Sequence, residues 1–203
     1  GLILFFYATT QMLAADAAIL NKLSPVFVII LAHYFLKEKI NRTKLTVLIV
    51  SVIGALLVIK PQFNSSVVPA AASFVSAVLS GAAYMFIGMI DDKESVYTTV
   101  FYFSFFSSLS CVPFFFFDFV TPEINELILL ALLGIFAALG QIALTFAYTV
   151  CPASDISIYD YSNIIFSSML GFLFLKEIPD LLSVAGGVLI LSASVYLYIN
   201  TKQ

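Results

Sequence analysis

Histidine, cysteine and charge are all scarce in this 203-residue chain. It has one histidine (His33), two cysteines (Cys111 and Cys151), and only 10% charged residues. A single histidine excludes metal centres built on histidine pairs or clusters. A serine–histidine triad would have to recruit His33, which sits close to the charged segment starting at Lys37, and the sequence contains no GxSxG. The cysteines lie in or beside apolar runs without CxxC spacing, so no disulfide framework is expected. No GxxxxGK[ST] phosphate loop is present, which excludes nucleotide hydrolysis by the chain itself. With 9 basic and 12 acidic residues there is no basic footprint for nucleic acid. No metal, cofactor or nucleic-acid partner is expected.

What is present is apolar. Hydrophobic residues are 62% of the chain, against roughly 45–50% in soluble domains. A water-soluble fold of this size could not hide that much apolar surface, and a disordered chain would not carry it. The expected solvent is the lipid bilayer. Between the charges run apolar segments at 16–36, 45–59, 67–90, 95–117, 127–150, 153–175 and 181–199. Most approach the roughly 20 residues a helix needs to cross the hydrocarbon. The short one, 45–59, is flanked by Lys44 and Lys60, which can snorkel to the interface. Strands of a membrane barrel would alternate apolar and polar residues in shorter pieces. These runs do not alternate, so an all-α membrane protein is expected. Residues 1–13 are apolar but too short to span, and read as the end of a helix whose beginning is missing.

The link 37–44 is the most basic. Placing it in the cytoplasm puts Lys37, Lys39, Arg42, Lys44, Lys93 and Lys202 inside and only Lys60 and Lys176 outside, as the positive-inside bias requires. The expected setting is the plasma (inner) membrane, with the C-terminus cytoplasmic.

Sliding the chain by 139 residues aligns its start with its later half, giving 13 identities in 38 ungapped positions. Phe35-Leu36-Lys37-Glu38 falls on Phe174-Leu175-Lys176-Glu177, and Asp16 on Asp155. The repeating unit then holds five spans. Because five is odd, the second copy enters the membrane inverted, a signature of secondary transporters with a midplane substrate site. Residues 1–63 are expected to be the last part of a first copy, and 67–203 a complete second copy. The intact molecule should have ten spans, of which seven complete and one partial are present here.

The segment Asn21-Lys22-Leu23-Ser24-Pro25-Val26-Phe27, followed by Phe35-Leu36-Lys37-Glu38, resembles the EamA-type pattern of the drug/metabolite transporter superfamily. So does Ala147-Tyr148 followed by Ser157-Ile158-Tyr159-Asp160-Tyr161 and Phe174-Leu175-Lys176-Glu177. The resemblance implies two inverted repeats around a central cavity, alternating access, and a small-molecule substrate drawn from amino acids, nucleotide derivatives, sugars, vitamins or drugs.

Charge inside a membrane is costly and faces a partner or a watered cavity. Lys22 and Asp160 are therefore expected to line the cavity, with Asn21, Tyr161 and Asn163 beside them. Asp160, Asn163 and Ser167 fall on one face if the span is a continuous helix. A polar stripe of Gln141, Thr145 and Tyr148 is a second candidate lining, and Tyr84 a third element. Small-residue stripes, including Gly54-Ala55 and Gly186-Gly187, read as close helix contacts, either internal or in a homodimer. Asp16 and Asp155 begin their helices, where an acid caps free amides or serves as a proton relay. Two other classes stay open. One is a membrane-embedded enzyme using Asp91, Asp92 and Glu94 at the cytoplasmic interface; the other is a non-transporting fragment or scaffold.

Overall fold

The computed structural model describes residues 1–60, 67–90, 94–113, 121–175 and 180–201. The described residues are helical and contain no strands. In order they form α1 (Leu2–Gln11), α2 (Ala14–Asn21), α3 (Ser24–Phe35), α4 (Arg42–Ile59) and α5 (Val67–Gly88). Then come α6 (Val96–Cys111), α7 (Ile124–Val150), α8 (Ala153–Tyr159), α9 (Ser162–Leu170), a π-helical turn (Gly171–Leu175) and α10 (Leu181–Thr201). Five stretches are long and apolar enough to cross a membrane: Ala14–Phe35, Arg42–Ile59, Val67–Gly88, Ile124–Val150 and Leu181–Asn200. Expectations resting on Asp91, Asp92, Lys93, Lys176, Glu177 and Lys202 fall outside the described residues.

The 139-residue repeat appears in the backbone. The helices α1 and α7 end at Gln11 and Val150, and α4 and α10 start at Arg42 and Leu181, each pair 139 apart. The breaks match in dihedral angle. Met12 (φ −141°, ψ 170°) corresponds to Cys151 (−135°, 157°), and Leu13 (−58°, 130°) to Pro152 (−54°, 132°). Leu13 thus adopts the φ that its counterpart proline imposes. The N-caps match too: Asn41 Oδ1 accepts from the amide of Lys44 at 2.7 Å, and Asp180 Oδ1 from that of Ser183 at 3.0 Å.

One difference from the sequence reading concerns continuity. Segments 16–36 and 153–175 are not unbroken helices. Each tightens mid-span into 3₁₀-type turns. In the first, Leu23 N bonds Leu20 O and Val26 N bonds Leu23 O; in the second, Asn163 N bonds Asp160 O and Ile164 N bonds Tyr161 O. Pro25, in the first turn of α3, has no amide to continue the ladder and accounts for the first break. Its counterpart is Ile164, which keeps its amide. The second break therefore has no proline to account for it.

The chain packs as two units. The first comprises residues 1–88 and 152–203, and the second residues 89–151. In the first, α4 and α10 run antiparallel at close range. A Cβ on Gly54 would lie 2.8 Å from Gly186 O, and one on Gly186 would lie 2.5 Å from Gly54 O. Equivalent elements lying antiparallel is what inverted copies require. Around this crossing lies a core that includes Ile19, Ile29, Val47, Leu48, Ile158, Tyr161, Ile190 and Leu197. On the other side, α5 presents its small residues to α2 and α3. Ser73 Oγ donates to Ala17 O at 2.8 Å, and Gly81 lies against Phe27 and the backbone of Ser24. The second unit is α6 beside α7, and α7 opens with a capping box between Glu123 and Glu126.

Lys60 ends α4 in the left-handed region (φ 50°) and ion-pairs with Asp180 at the start of α10. Asp180 is exposed. The hydrogen bond from Lys60, with those from Ser183, holds its carboxyl at about 2, below its ordinary 3.8. Because the folded-state value is the lower one, this link is complete above pH ~4 and is lost as pH falls toward ~2. The Asp180→Asn variant is therefore expected to show a shallower loss of unfolding temperature across that window than the parent. For the crossing, Gly54→Ala is expected to cost about 1–3 kcal/mol by overpacking. Gly187→Ala, whose Cβ would meet nothing within 4 Å, should be neutral or stabilise by roughly 0.5–1 kcal/mol. Thermal unfolding in detergent checks both.

Candidate functional site

The two mid-span turns meet. Lys22 closes α2, and Asp160 closes α8. Lys22 Nζ lies 3.0 Å from Asp160 Oδ2, and the two side chains retain 18% and 30% exposure, so the pair is half-buried rather than dry. Tightening the first helix frees a backbone carbonyl, which in hydrocarbon needs a substitute donor. Val26 N bonds Leu23 O, and Lys22 O instead accepts from the Tyr161 hydroxyl at 2.8 Å. At the second turn Asp160 O keeps a bond from its own helix, Asn163 N at 3.2 Å, and also accepts from Lys22 Nζ at 3.3 Å. Lys22 and Tyr161 occupy equivalent positions in the two copies, 139 apart. Each copy thus supplies a side chain to a carbonyl at the other's break.

The neighbours are polar. Asn21 Nδ2 donates to Ser76 Oγ on α5 at 3.1 Å. Half-buried Tyr84, also on α5, is close enough to Asp160 to feel its charge. Asn163 and Ser167 are exposed. In the second unit, Gln141 donates to Thr145 one turn on, at 3.4 Å, and Thr145 and Tyr148 are buried.

A second cluster lies about 7.5 Å along the chain from Asp160, five residues nearer the start of α8 at 1.5 Å each. Asp155 is buried and pairs with Lys44 Nζ at 2.7 Å. Lys44 Nζ also donates to Ser154 Oγ at 2.7 Å. Glu38 accepts from the amides of Ala153 (2.8 Å) and Ser154 (3.1 Å), and from the Ser154 hydroxyl. Capping of α8 therefore falls to Glu38, across the bundle, while Asp155 is spent on Lys44. Lys44 does not snorkel: a carboxylate waits inside, and the side chain turns in to it. Asp16, the counterpart of Asp155, is buried in the first turn of α2. Sequence reasoning missed Lys44 and Ser154 as site residues. The available signal was that their repeat counterparts, Ser183 and Ala15, differ in chemistry. No group of three or more potential metal ligands occurs among the described residues.

Comparison with known proteins follows this geometry. Residues 1–60 and 69–199 match the EamA-like transporter family. The chain is 38% identical to the pseudopaline exporter of Pseudomonas aeruginosa, over 97% of this chain and 70% of that protein. It is 28% identical to an S-adenosylmethionine uptake transporter of Rickettsia bellii, over 100% of this chain and 72% of that one. A solved crystal structure with 13% identity superposes with a TM-score of 0.80, over 97% of this chain and 72% of its own.

Replacing one member of the central pair leaves the other charge half-buried and alone. Lys22→Met or Asp160→Asn is expected to cost roughly 1–3 kcal/mol, between the values for exposed and fully buried pairs. The double variant should cost less than the two losses added together. Unfolding of all four proteins in detergent measures that coupling, and strict additivity would show that the pair contributes none.

Proposed function

Since the chain belongs to the EamA-like transporter family, whose matched relatives are membrane transporters and not enzymes, we propose that it is a secondary carrier for a small polar, amino-acid-like metabolite. Substrate crosses by alternating access, one inverted copy rocking against the other, without covalent chemistry. In this reading the link 37–44 and the C-terminus face the cytoplasm, and the two copies divide between residues 1–63 and 67–203.

The observation that carries the reading is the Lys22–Asp160 pair. Lys22 lies about 12 Å into the 22-residue span Ala14–Phe35, counting 1.5 Å per residue from Ala14. A half-buried ion pair at such depth, held between two broken helices, is a place where a ligand exchanges its charges for the protein's own. A ligand with one charge would satisfy one partner and strand the other in low dielectric. A ligand carrying both signs satisfies both, so zwitterions fit. Asn21, Tyr84, Tyr161 and Asn163 supply polar edges near the pair; in the second unit, Gln141, Thr145 and Tyr148 form a separate polar stripe proposed for substrate contact. Asp16 and Asp155 are the acids available for ion coupling. The relatives include both an exporter and an uptake transporter, so transport direction is not part of the proposal.

Counter-flow in liposomes tests it, with labelled amino acids and S-adenosylmethionine as probes on the intact protein. At least one zwitterion should exchange, and Lys22→Gln or Asp160→Asn should slow it by about tenfold or more, the effect of losing a charge-assisted contact. Exchange at the parental rate in both variants would remove Lys22 and Asp160 from the substrate path.

A further inference from the structure

The cluster at the start of α8 does a different job from the central pair. All its contacts join the first copy to the second: Glu38 and Lys44 on one side, Ser154 and Asp155 on the other. It is far drier than the central pair. Lys44 and Asp155 side chains are 11% and 7% exposed. Glu38 is itself held in place. Lys37 takes a left-handed backbone (φ 57°), which returns the Glu38 amide to Ala32 O at 3.3 Å, and Glu38 O lies 2.8 Å from His33 Nδ1.

The equivalent place in the other half is built differently. Ser183 stands where Lys44 would be, and Ala15 where Ser154 would be. At the opposite end of the α4–α10 pair the charged link is Lys60–Asp180, whose side chains are 42% and 54% exposed. Exposed pairs in water hold little, whereas separating a buried pair leaves uncompensated charge. Among the ion pairs of the described residues, the buried one is at the end carrying the 37–44 link.

We infer that Glu38, Lys44, Ser154 and Asp155 form a one-sided gate, closed in this structure, that bars substrate exit at the end of the bundle carrying the 37–44 link. The inference rests on the carrier reading, which supplies the motion that opens the gate. Opening parts α8 from the 37–44 link, so Glu38 releases the α8 amides and Lys44 releases Asp155. The transporter therefore rests with this end shut.

The test is thiol accessibility in the intact protein reconstituted in liposomes, with Cys111 and Cys151 replaced by serine. A single cysteine replaces Ser157, which is 1% exposed and bonded to Ser154 O at 3.0 Å. A membrane-impermeant maleimide is applied from the 37–44 side. Lys44→Met and Glu38→Gln should each speed labelling by about tenfold, the equilibrium shift that one lost charge-assisted hydrogen bond produces, while Lys44→Arg stays slow. A control cysteine replacing Ser73, fully buried on α5, should not respond. Unchanged labelling at 157 overturns the gate, and so does an equal rise at 73, which marks general loosening. Counter-flow in the same vesicles separates the two readings. Transport with unresponsive labelling sinks the gate alone. Responsive labelling without transport of any probe sinks the carrier and keeps the fastening.

Discussion

A backbone carbonyl released in hydrocarbon must find a donor, and this requirement ties the first unit of the chain together. Two helices tighten at equivalent places. At the first, Lys22 O is left outside its own ladder and accepts from the Tyr161 hydroxyl of the other copy; at the second, Asp160 O keeps the amide of Asn163 and gains the Lys22 ammonium. Each turn is thereby tied to the other copy. The ion pair between Lys22 and Asp160 is then nearly obligatory, because the side chain that repairs one break brings its charge to the acid at the other.

Among the described residues, three charged links join the copies, and they differ mainly in exposure. Lys44–Asp155 is buried, Lys22–Asp160 is half-buried, and Lys60–Asp180 is open to solvent. The strength of an ion pair and its availability to a ligand move in opposite directions along that series. A buried pair fastens but offers no room, and an exposed pair offers room but little energy. The half-buried pair combines partial access with a real penalty for stranding either partner, which suits a site that must bind and let go. Helix contact is arranged around the same axis: Gly54 and Gly186 let α4 and α10 approach until backbone meets backbone, and this brings Lys60 to Asp180.

Much of the architecture was legible in the residues. The 139-residue offset was legible, and the backbone follows it, because the same local chemistry recurs in each copy: Asn41 and Asp180 cap, and Pro152 fixes the bend that Leu13 copies. The pairing of Lys22 with Asp160 was foreshadowed by the cost of charge in lipid. The break at Asp160–Tyr161 was not legible, since Ile164 carries no proline signature. Lys44 read as an interfacial lysine because snorkelling is the default where no internal acid is known. Glu38 follows the end of its own helix, where the dipole disfavours an acid, and its contacts are at the start of another.

Composition and periodicity determined by themselves that this chain is helical, multi-spanning and internally repeated, because apolar run length and recurrence are properties of the chain alone. Which side chain repairs which break, which lysine turns inward, and where the two copies are fastened are relations between segments more than a hundred residues apart. Only the tertiary structure decided them, because a freed carbonyl or a buried charge takes its partner from whatever packing brings within 3 Å or so, and sequence spacing does not encode that neighbour.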